Sequence, residues 1–291
     1  MTSFTTSCRQ PAVNTASAPM RQVTDDLGRT VLVPTKVTRI ISTAPSVTEM
    51  IFAAGGGDRL VGVTTFCDYP EEAKSIAKIG DTMNPNMETI VALKPDVVFV
   101  STASQIEAFA KTLEQNGIAV YVMNPLSLRD IWSRLRRLGV LFDTSEIAER
   151  TILDLATREI EVKSKFYAGG EMRKIPVFVQ ISREPLFTVG GGSYIGDVVN
   201  EAGGVLLTSS IKEAFPKLSK ETALALQPEV IILSASDDNR EPNEVFKNSP
   251  AVKNGRVYSI DADILSRPGP RLVDALEQIA KLLHPEKFRD N

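Results

Sequence analysis

A segment of fourteen residues occurs twice in this chain. Residues 88–101 read ETIVALKPDVVFVS and residues 221–234 read ETALALQPEVIILS, with seven positions identical. Glu88 and Glu221 are 133 residues apart, nearly half of a 291-residue chain. Each copy reads as the same small unit. A capping residue, Asn86 or Ser219, stands two places before the glutamate and can accept from a free backbone N–H of the first turn. The helix is then broken at Pro95 or Pro228, and an apolar strand follows. One helix–strand unit repeated at half the chain length restricts the fold to two similar α/β lobes.

The sequence around both copies agrees. Gln22–Asp25 and Thr30–Val33 flank the turn-like Asp26-Leu27-Gly28-Arg29 and predict a hairpin. Val37–Ser42 is a short apolar strand, followed by Ser46 and Glu49 spaced as a capping box before Met50-Ile51-Phe52. Gly55–Gly57 ends that helix, and Leu60–Val63 is the next strand. Ser104 with Glu107 forms a second box, opening a helix with Ile106, Phe109, Ala110 and Leu113 on one face. Asn116-Gly117 stops it before the strand Ile118–Val122. Strands alternating with helices mean parallel βαβ units and sheets covered on both faces.

Asp143–Ala168 contains neither Pro nor Gly and carries Ile147, Ile152, Leu155, Ile160 and Val162 among many charges. It predicts one helix of ~25 residues, about 37 Å long, closed by Gly169-Gly170. A second α/β run follows: strand Ile175–Ile181, helix Tyr194–Ala202, strand Val230–Leu233, helix Glu244–Asn248, strand Arg256–Ile260 and helix Arg271–Leu283. The expected organisation is a tether over 1–20, an N-terminal lobe over 21–142, a connecting helix over 143–170 and a C-terminal lobe over 171–291.

Composition narrows the function. Lys and Arg number 33 against 36 Asp and Glu, a net charge of −3, which argues against a nucleic-acid binder. No apolar run approaches the ~18 residues of a membrane span. One histidine and two cysteines cannot build a Cys₄, Cys₂His₂ or His₃ metal site, and no cofactor is expected. There is no GxxxxGK[ST] phosphate loop, and Gly55–Gly57 and Gly190–Gly192 both fail the GxGxxG spacing. Ser193 lacks the glycine of a nucleophile elbow. His284 follows the last helix, where histidine commonly faces carbonyls, and Cys67 reads as a packed thiol. No catalytic residue and no metal ligand is assigned.

Residues 1–20 are rich in Ser, Thr, Ala and Pro, the composition of a disordered tether. Met1–Ser7 has neither the basic nor the apolar part of a signal peptide. Thr6-Ser7-Cys8 before a polar spacer nevertheless has the form of a lipoprotein remnant. The expectation is a precursor that starts upstream of Met1 and a lipid-modified Cys8, the chain's single link to a membrane. An incidental cysteine in a floppy tail is the other reading.

Several ordered motifs resemble one known family. They are Val61-Gly62-Val63, Cys67-Asp68-Tyr69-Pro70, Asn84-Pro85-Asn86-Met87-Glu88 with Ala92-Leu93-Lys94-Pro95-Asp96, Pro185-Leu186-Phe187-Thr188 with Gly192-Ser193-Tyr194-Ile195, Glu201-Ala202-Gly203-Gly204, and Arg267-Pro268-Gly269-Pro270-Arg271. Together they resemble the periplasmic substrate-binding proteins of ABC importers for iron-siderophore, haem and cobalamin, with Asp68-Tyr69-Pro70 and Pro-Gly-Pro-Arg most similar to the cobalamin binders. The resemblance implies an α/β protein of two Rossmann-like lobes joined by one long helix, with ligand in the cleft between them. It also implies a monomer with no enzymatic activity that delivers cargo to a permease dimer.

The resemblance carries residues with it. Ser42, Ala44 and Pro45 follow the first core strand at a helix N-terminus. Phe66 matches a pocket tyrosine of the enteric cobalamin carriers, Phe215 a tryptophan, and Asp263 and Arg267 two polar contacts to corrin amides. Glu88 and Glu221 match glutamates that pair with arginines on the two permease subunits. Ser101 and Ile181 stand where those carriers have a tryptophan and a phenylalanine, and the loop at Thr82-Met83 lacks another tryptophan. Fewer aromatic walls leave other cargo open. An anionic ferric siderophore would use Arg183 and Arg267, and haem would need an axial residue such as Tyr69, Tyr194 or Met83. A two-lobed α/β enzyme of transferase type is the reading outside this class.

Overall fold

The structure is a computed structural model that describes residues 19–101, 106–167 and 173–289, and of Ile106–Phe109 and Tyr167 the backbone only. Cys8 and the box residue Ser104 lie outside the described residues.

The chain opens with the expected hairpin, β1 (Met20–Thr24) antiparallel to β2 (Thr30–Pro34). Gly28 takes φ +76° in its turn, and the Asp25 carboxylate accepts from the N–H groups of Leu27 and Arg29 at 3.0 and 2.9 Å. The first α/β run follows: β3 (Ile40–Ser42), α1 (Pro45–Ala53), β4 (Leu60–Val63), α2 (Met87–Ala92), β5 (Val97–Ser101), α3 (Ile106–Gln115) and β6 (Ala119–Met123). These strands form one parallel sheet in the order β4-β3-β5-β6. β3 is shorter than the expected Val37–Ser42. The N–H groups of Thr38 and Arg39 bond to the Asp96 carboxylate at 2.7 and 2.9 Å, which holds that backbone out of the ladder.

Helix α4 (Leu128–Leu141) comes next, capped by Ser127, and then the connecting helix α5 (Ser145–Tyr167) of 23 residues. The second run is β7 (Ile175–Ser182), β8 (Phe187–Thr188), α6 (Tyr194–Glu201), β9 (Gly204–Leu206), α7 (Lys220–Ala225), β10 (Val230–Ala235), α8 (Pro250–Lys253), β11 (Val257–Asp261), α9 (Ala262–Ser266) and α10 (Leu272–Leu283). Its sheet runs β11-β10-β7-β8, with β9 also paired to β7. The helix expected at Glu244–Asn248 is one 3₁₀ turn, Glu244–Phe246.

Both repeat copies form the same unit. Asn86 accepts from Thr89 N–H and Ser219 from Thr222 N–H, and the strands that follow, β5 and β10, lie inside their sheets. One buried cluster runs from Ile40 and Met50 through α4 and α5 to Val177, Ile195 and Leu276. Separate clusters around Ile90 and Val98, and around Phe178 and Phe246, cover the outer faces. Each sheet is therefore buried on both sides, as parallel strands require.

Helix α5 buries Ala148, Ile152, Leu155, Val162 and Phe166, a stripe at helical spacing. Ile147 and Ile160 fall off that stripe and are exposed. Thr151 Oγ1 donates to Ala53 O at 3.0 Å, while Arg158 pairs with Asp274 and Glu277 at 2.6 and 2.8 Å. The helix is thus tied to both lobes. Among the described residues no helix is long and apolar enough to cross a membrane.

Candidate functional site

A cavity of ≈ 610 Å³ opens between the lobes. Its walls come from the carboxyl ends of β3, β5, β6 and β7, where open α/β sheets place their ligands. The first lobe supplies Ala44–Val47 and Met50 of α1, Ser101, and Met123–Leu126. The second supplies Ile181, Gly192–Tyr194, Ala214-Phe215 and Ser266–Pro268. Most of this lining is apolar.

Ala44, Pro45, Ser101, Tyr194, Phe215 and Arg267 of the sequence-derived residues line this cavity. Ser42 is fully buried behind it, with its hydroxyl donating to Ala44 O at 3.0 Å and accepting from Thr48 Oγ1 at 2.8 Å. It shapes the loop and does not face the space. Phe66 is 58% exposed and outside the lining. Met83 is also exposed, with its N–H on the Asp81 carboxylate at 2.8 Å, although its neighbour Thr82 reaches the cavity. Arg183 pairs with Glu241 at 3.2 Å, away from the lining, and Asp263 pairs with Arg267 at 2.6 Å. Ser101, Ile181 and Thr82, where aromatic residues were missing from the sequence, are all lining positions.

The wall of the second lobe depends on three glycines. A Cβ on Gly190, Gly191 or Gly192 would run into the carbonyl oxygens of Glu213, Ser209 or Lys212. Backbone therefore packs on backbone between 190–192 and 209–214, which sets Tyr194 and Phe215 edge to face, ring centres 6.2 Å apart. The Tyr194 hydroxyl donates to Ser266 O at 2.6 Å, and burial pushes its pKa well above the ordinary range. The glycine run that fails as a phosphate loop is thus a close-packing device.

The expected Ser46–Glu49 capping box is not formed. Pro45 is the first residue of α1 and Ala44 its cap, so Glu49 lies beyond the first turn. Its carboxylate instead crosses to the other lobe, meeting Arg267 at 3.1 Å and Arg271 at 2.6 Å. Arg267 also meets Asp68 at 2.8 Å. Burial works against the Arg267 charge, but Asp68, Glu49 and Asp263 outweigh it and hold its pKa above the usual value. The Tyr69 ring lies under Arg271, 4.3 Å from the guanidinium carbon. Sequence spacing hid Glu49, because its partners are more than 200 residues away.

Cys67 and His284 are packed into the fold. The Cys67 thiol is buried, 3.1 Å from the hydroxyls of both Thr48 and Thr64. His284 is buried beyond α10 with Nε2 3.3 Å from Gly203 O. Glu88 and Glu221 are exposed at matching second positions of α2 and α7. The Glu221 backbone N–H and the Ser219 hydroxyl hold the Glu221 carboxyl below its usual pKa.

Residues 40–264 match the sequence model of the family described as Periplasmic binding protein. The chain belongs to that family. Over 247 residues it is 31% identical to the vitamin B12-binding protein of Vibrio vulnificus (strain CMCP6), covering 84% of this chain and 89% of that protein. Among solved structures it is similar to the periplasmic vitamin B12 binding protein BtuF of Vibrio cholerae, with TM-score 0.73 and 28% identity over 87% of this chain and 99% of that one. It is also similar to a periplasmic heme binding protein from Pseudomonas aeruginosa, with TM-score 0.76 and 25% identity over 86% and 93% of the two chains. In this periplasmic binding protein the connecting helix α5 is bonded to both lobes.

Proposed function

We propose that this protein is the extracytoplasmic substrate-binding component of an ABC importer, capturing a corrinoid of the cobalamin type and delivering it unchanged to a permease dimer. The observation that carries the reading is the inter-lobe cavity, apolar in most of its lining and walled on one side by Tyr194 and Phe215. A corrinoid is a broad ring with apolar faces and a fringe of amides. Apolar walls with a few hydroxyl, amide and guanidinium groups suit it, and the volume lies within the ~300–1,000 Å³ of small-molecule sites. The similarity to vitamin B12-binding proteins supports the same cargo. Haem fits less well, because Tyr194 is hydrogen-bonded to Ser266 O and Tyr69 is stacked under Arg271.

In this reading 21–142 and 171–291 act as the two lobes about the helix at 143–170, as a monomer. Glu88 and Glu221 are the paired docking points for the two permease subunits, and Cys8 carries a lipid anchor. Stable anchoring takes two lipid signals, which a diacylated cysteine supplies. Mass spectrometry of the native membrane fraction should find an acylated N-terminal Cys8, and intact Met1 in the cytosol would remove that element. Calorimetric titration tests the cargo. One-to-one binding of cyanocobalamin is expected, and silence with every corrinoid beside clear heat with haem or a ferric siderophore would sink it.

A further inference from the structure

Among the described residues Arg267 is the one charged residue lining the cavity, and it is not available as a bare cation. Glu49, with 1% of its side chain exposed, grips Arg267 and Arg271 from behind the wall. Asp68 and Asp263 approach Arg267 from its more open side, at 2.8 and 2.6 Å. Three carboxylates thus face two guanidiniums. Nothing within α1 requires an acid at position 49, which lies past the first turn and forms no cap. Burying a lone carboxylate would be costly, so its partners have to be paired to it in the folded state. Its effect on the cavity is to cancel the positive charge that Arg267 and Arg271 would otherwise present.

We propose that Glu49 is a specificity-determining residue, which sets the cavity to discriminate against anionic ligands and in favour of neutral, amide-fringed ones. The proposal rests on the cavity being the cargo site. It adds that charge selectivity there is imposed by a residue of the opposite lobe that does not line the cavity. Replacing the carboxylate by its amide keeps the shape and removes one of the three negative charges, taking the cluster from a net negative charge to balance. Two ionised groups a few ångströms apart in a partly buried site interact strongly, and added salt weakens that interaction.

The test compares scaffolds that differ only in charge: cyanocobalamin with one of its monocarboxylates, and haem with its dimethyl ester. Affinities are measured for the wild type and for Glu49→Gln at low and physiological salt. Glu49→Gln should shift the ratio towards the anionic member on the order of tenfold at low salt, and less at high salt. Asp68→Asn, on the more exposed side of Arg267, should shift it in the same direction by a smaller factor, and it serves if Glu49→Gln folds poorly. A residue that merely holds the lobes together would weaken both members in parallel, and an unchanged ratio in both variants overturns the proposal. Binding of haem alone would overturn the corrinoid reading and leave the haem pair to decide the role of Glu49. A wild type that holds neither scaffold overturns both.

Discussion

The two lobes use one repeat unit and the same parallel strand order, yet they are braced by different chemistry. In the first lobe the Asp26 carboxylate, with no exposed side-chain surface, is held by Arg134 at 2.9 Å, Arg137 at 2.7 Å and the Asn124 N–H at 2.7 Å. That cluster clamps the β1–β2 hairpin to β6 and α4. In the second lobe the corresponding work is done by neutral amides. The Gln180 side chain donates to Asn239 Oδ1 at 2.6 Å and Glu241 O at 2.9 Å and accepts from the Asn243 N–H at 2.8 Å. The second lobe also adds β8, antiparallel to β7, whose chain leads into the glycine run of the cavity wall. A repeat therefore specifies the sheet and its helices, while the edges, where binding surfaces are built, are free to differ.

The largest effect is expected where the lobes are most alike. Glu88 and Glu221 occupy the same exposed position on α2 and α7. Glu88→Arg with Glu221→Arg should bring uptake into cells to background, with ligand affinity changed by less than about twofold, since exposed charges chiefly steer encounter and set register. Each single variant should impair uptake to a similar degree. Wild-type uptake by the double variant would reduce both residues to helix-dipole acids, worth ~0.3–1 kcal/mol each. Collapse of ligand affinity would place them on the wrong surface.

Where the lobes differ, stability should separate them. Asp26→Ala takes the carboxylate from Arg137 and from the Asn124 N–H, leaves Arg134 with Asp130 alone, and should cost about 3–5 kcal/mol. Gln180→Ala leaves neutral groups without partners and should cost about 1–3 kcal/mol. Urea denaturation measures both. Because one buried cluster joins the lobes through α4 and α5, each variant should still unfold in a single transition. A second transition in either variant would show that the lobes are separable.

Local signals were the legible ones. The repeat, the hairpin turn, the long helix and the strand centres all follow from capping residues, glycines, prolines and apolar spacing within a dozen or so residues. Helix α4 escaped the pattern reading, although Ser127 as cap with Leu128, Ile131, Leu135 and Leu138 at helical spacing could have revealed it. The site was legible only in part. Ala44 and Pro45 follow the first core strand, whereas Ser101, Tyr194 and Phe215 come only through the family resemblance. Glu49 and the Asn124-Pro125-Leu126 wall were not found, because the partners that give them a role come from distant parts of the chain. Phe66, an aromatic at a matched position, is exposed and stands outside the cavity lining.

That contrast gives a smaller effect. Phe215 lines the cavity and meets Tyr194 edge to face, whereas Phe66 stands outside the lining. Phe215→Ala should weaken ligand binding by ~0.5–1.5 kcal/mol beyond its lost area, the usual worth of an aromatic contact. Phe66→Ala should change it by less, unless the lobes close further on cargo and bring Phe66 onto it. Titration of the two variants side by side decides which description of the first lobe's wall is right.

The smallest effect is one of sign. Asp197, in the first turn of α6, accepts from the Leu128 N–H across the lobes at 3.2 Å. Burial raises its pKa above the ordinary 3.8, with that N–H bond only partly opposing. Asp68 has the reverse balance: burial would raise it, but the hydrogen bond and charge of Arg267 bring it below 3.8. A group whose pKa is raised on folding contributes stability that is present below the unfolded value and lost as pH rises through the folded one. A lowered carboxyl contributes stability above the unfolded value and loses it as pH falls. Asp197→Asn should therefore remove a loss of stability on the alkaline side of 3.8, and Asp68→Asn a loss on the acid side. Denaturation midpoints across about pH 3–6 should show the two variants departing from the wild type in opposite senses. Departures of the same sense would mean that Asp197 is as well compensated as Asp68, with α4 and α6 held together by a charged contact as the Arg267 cluster holds α1.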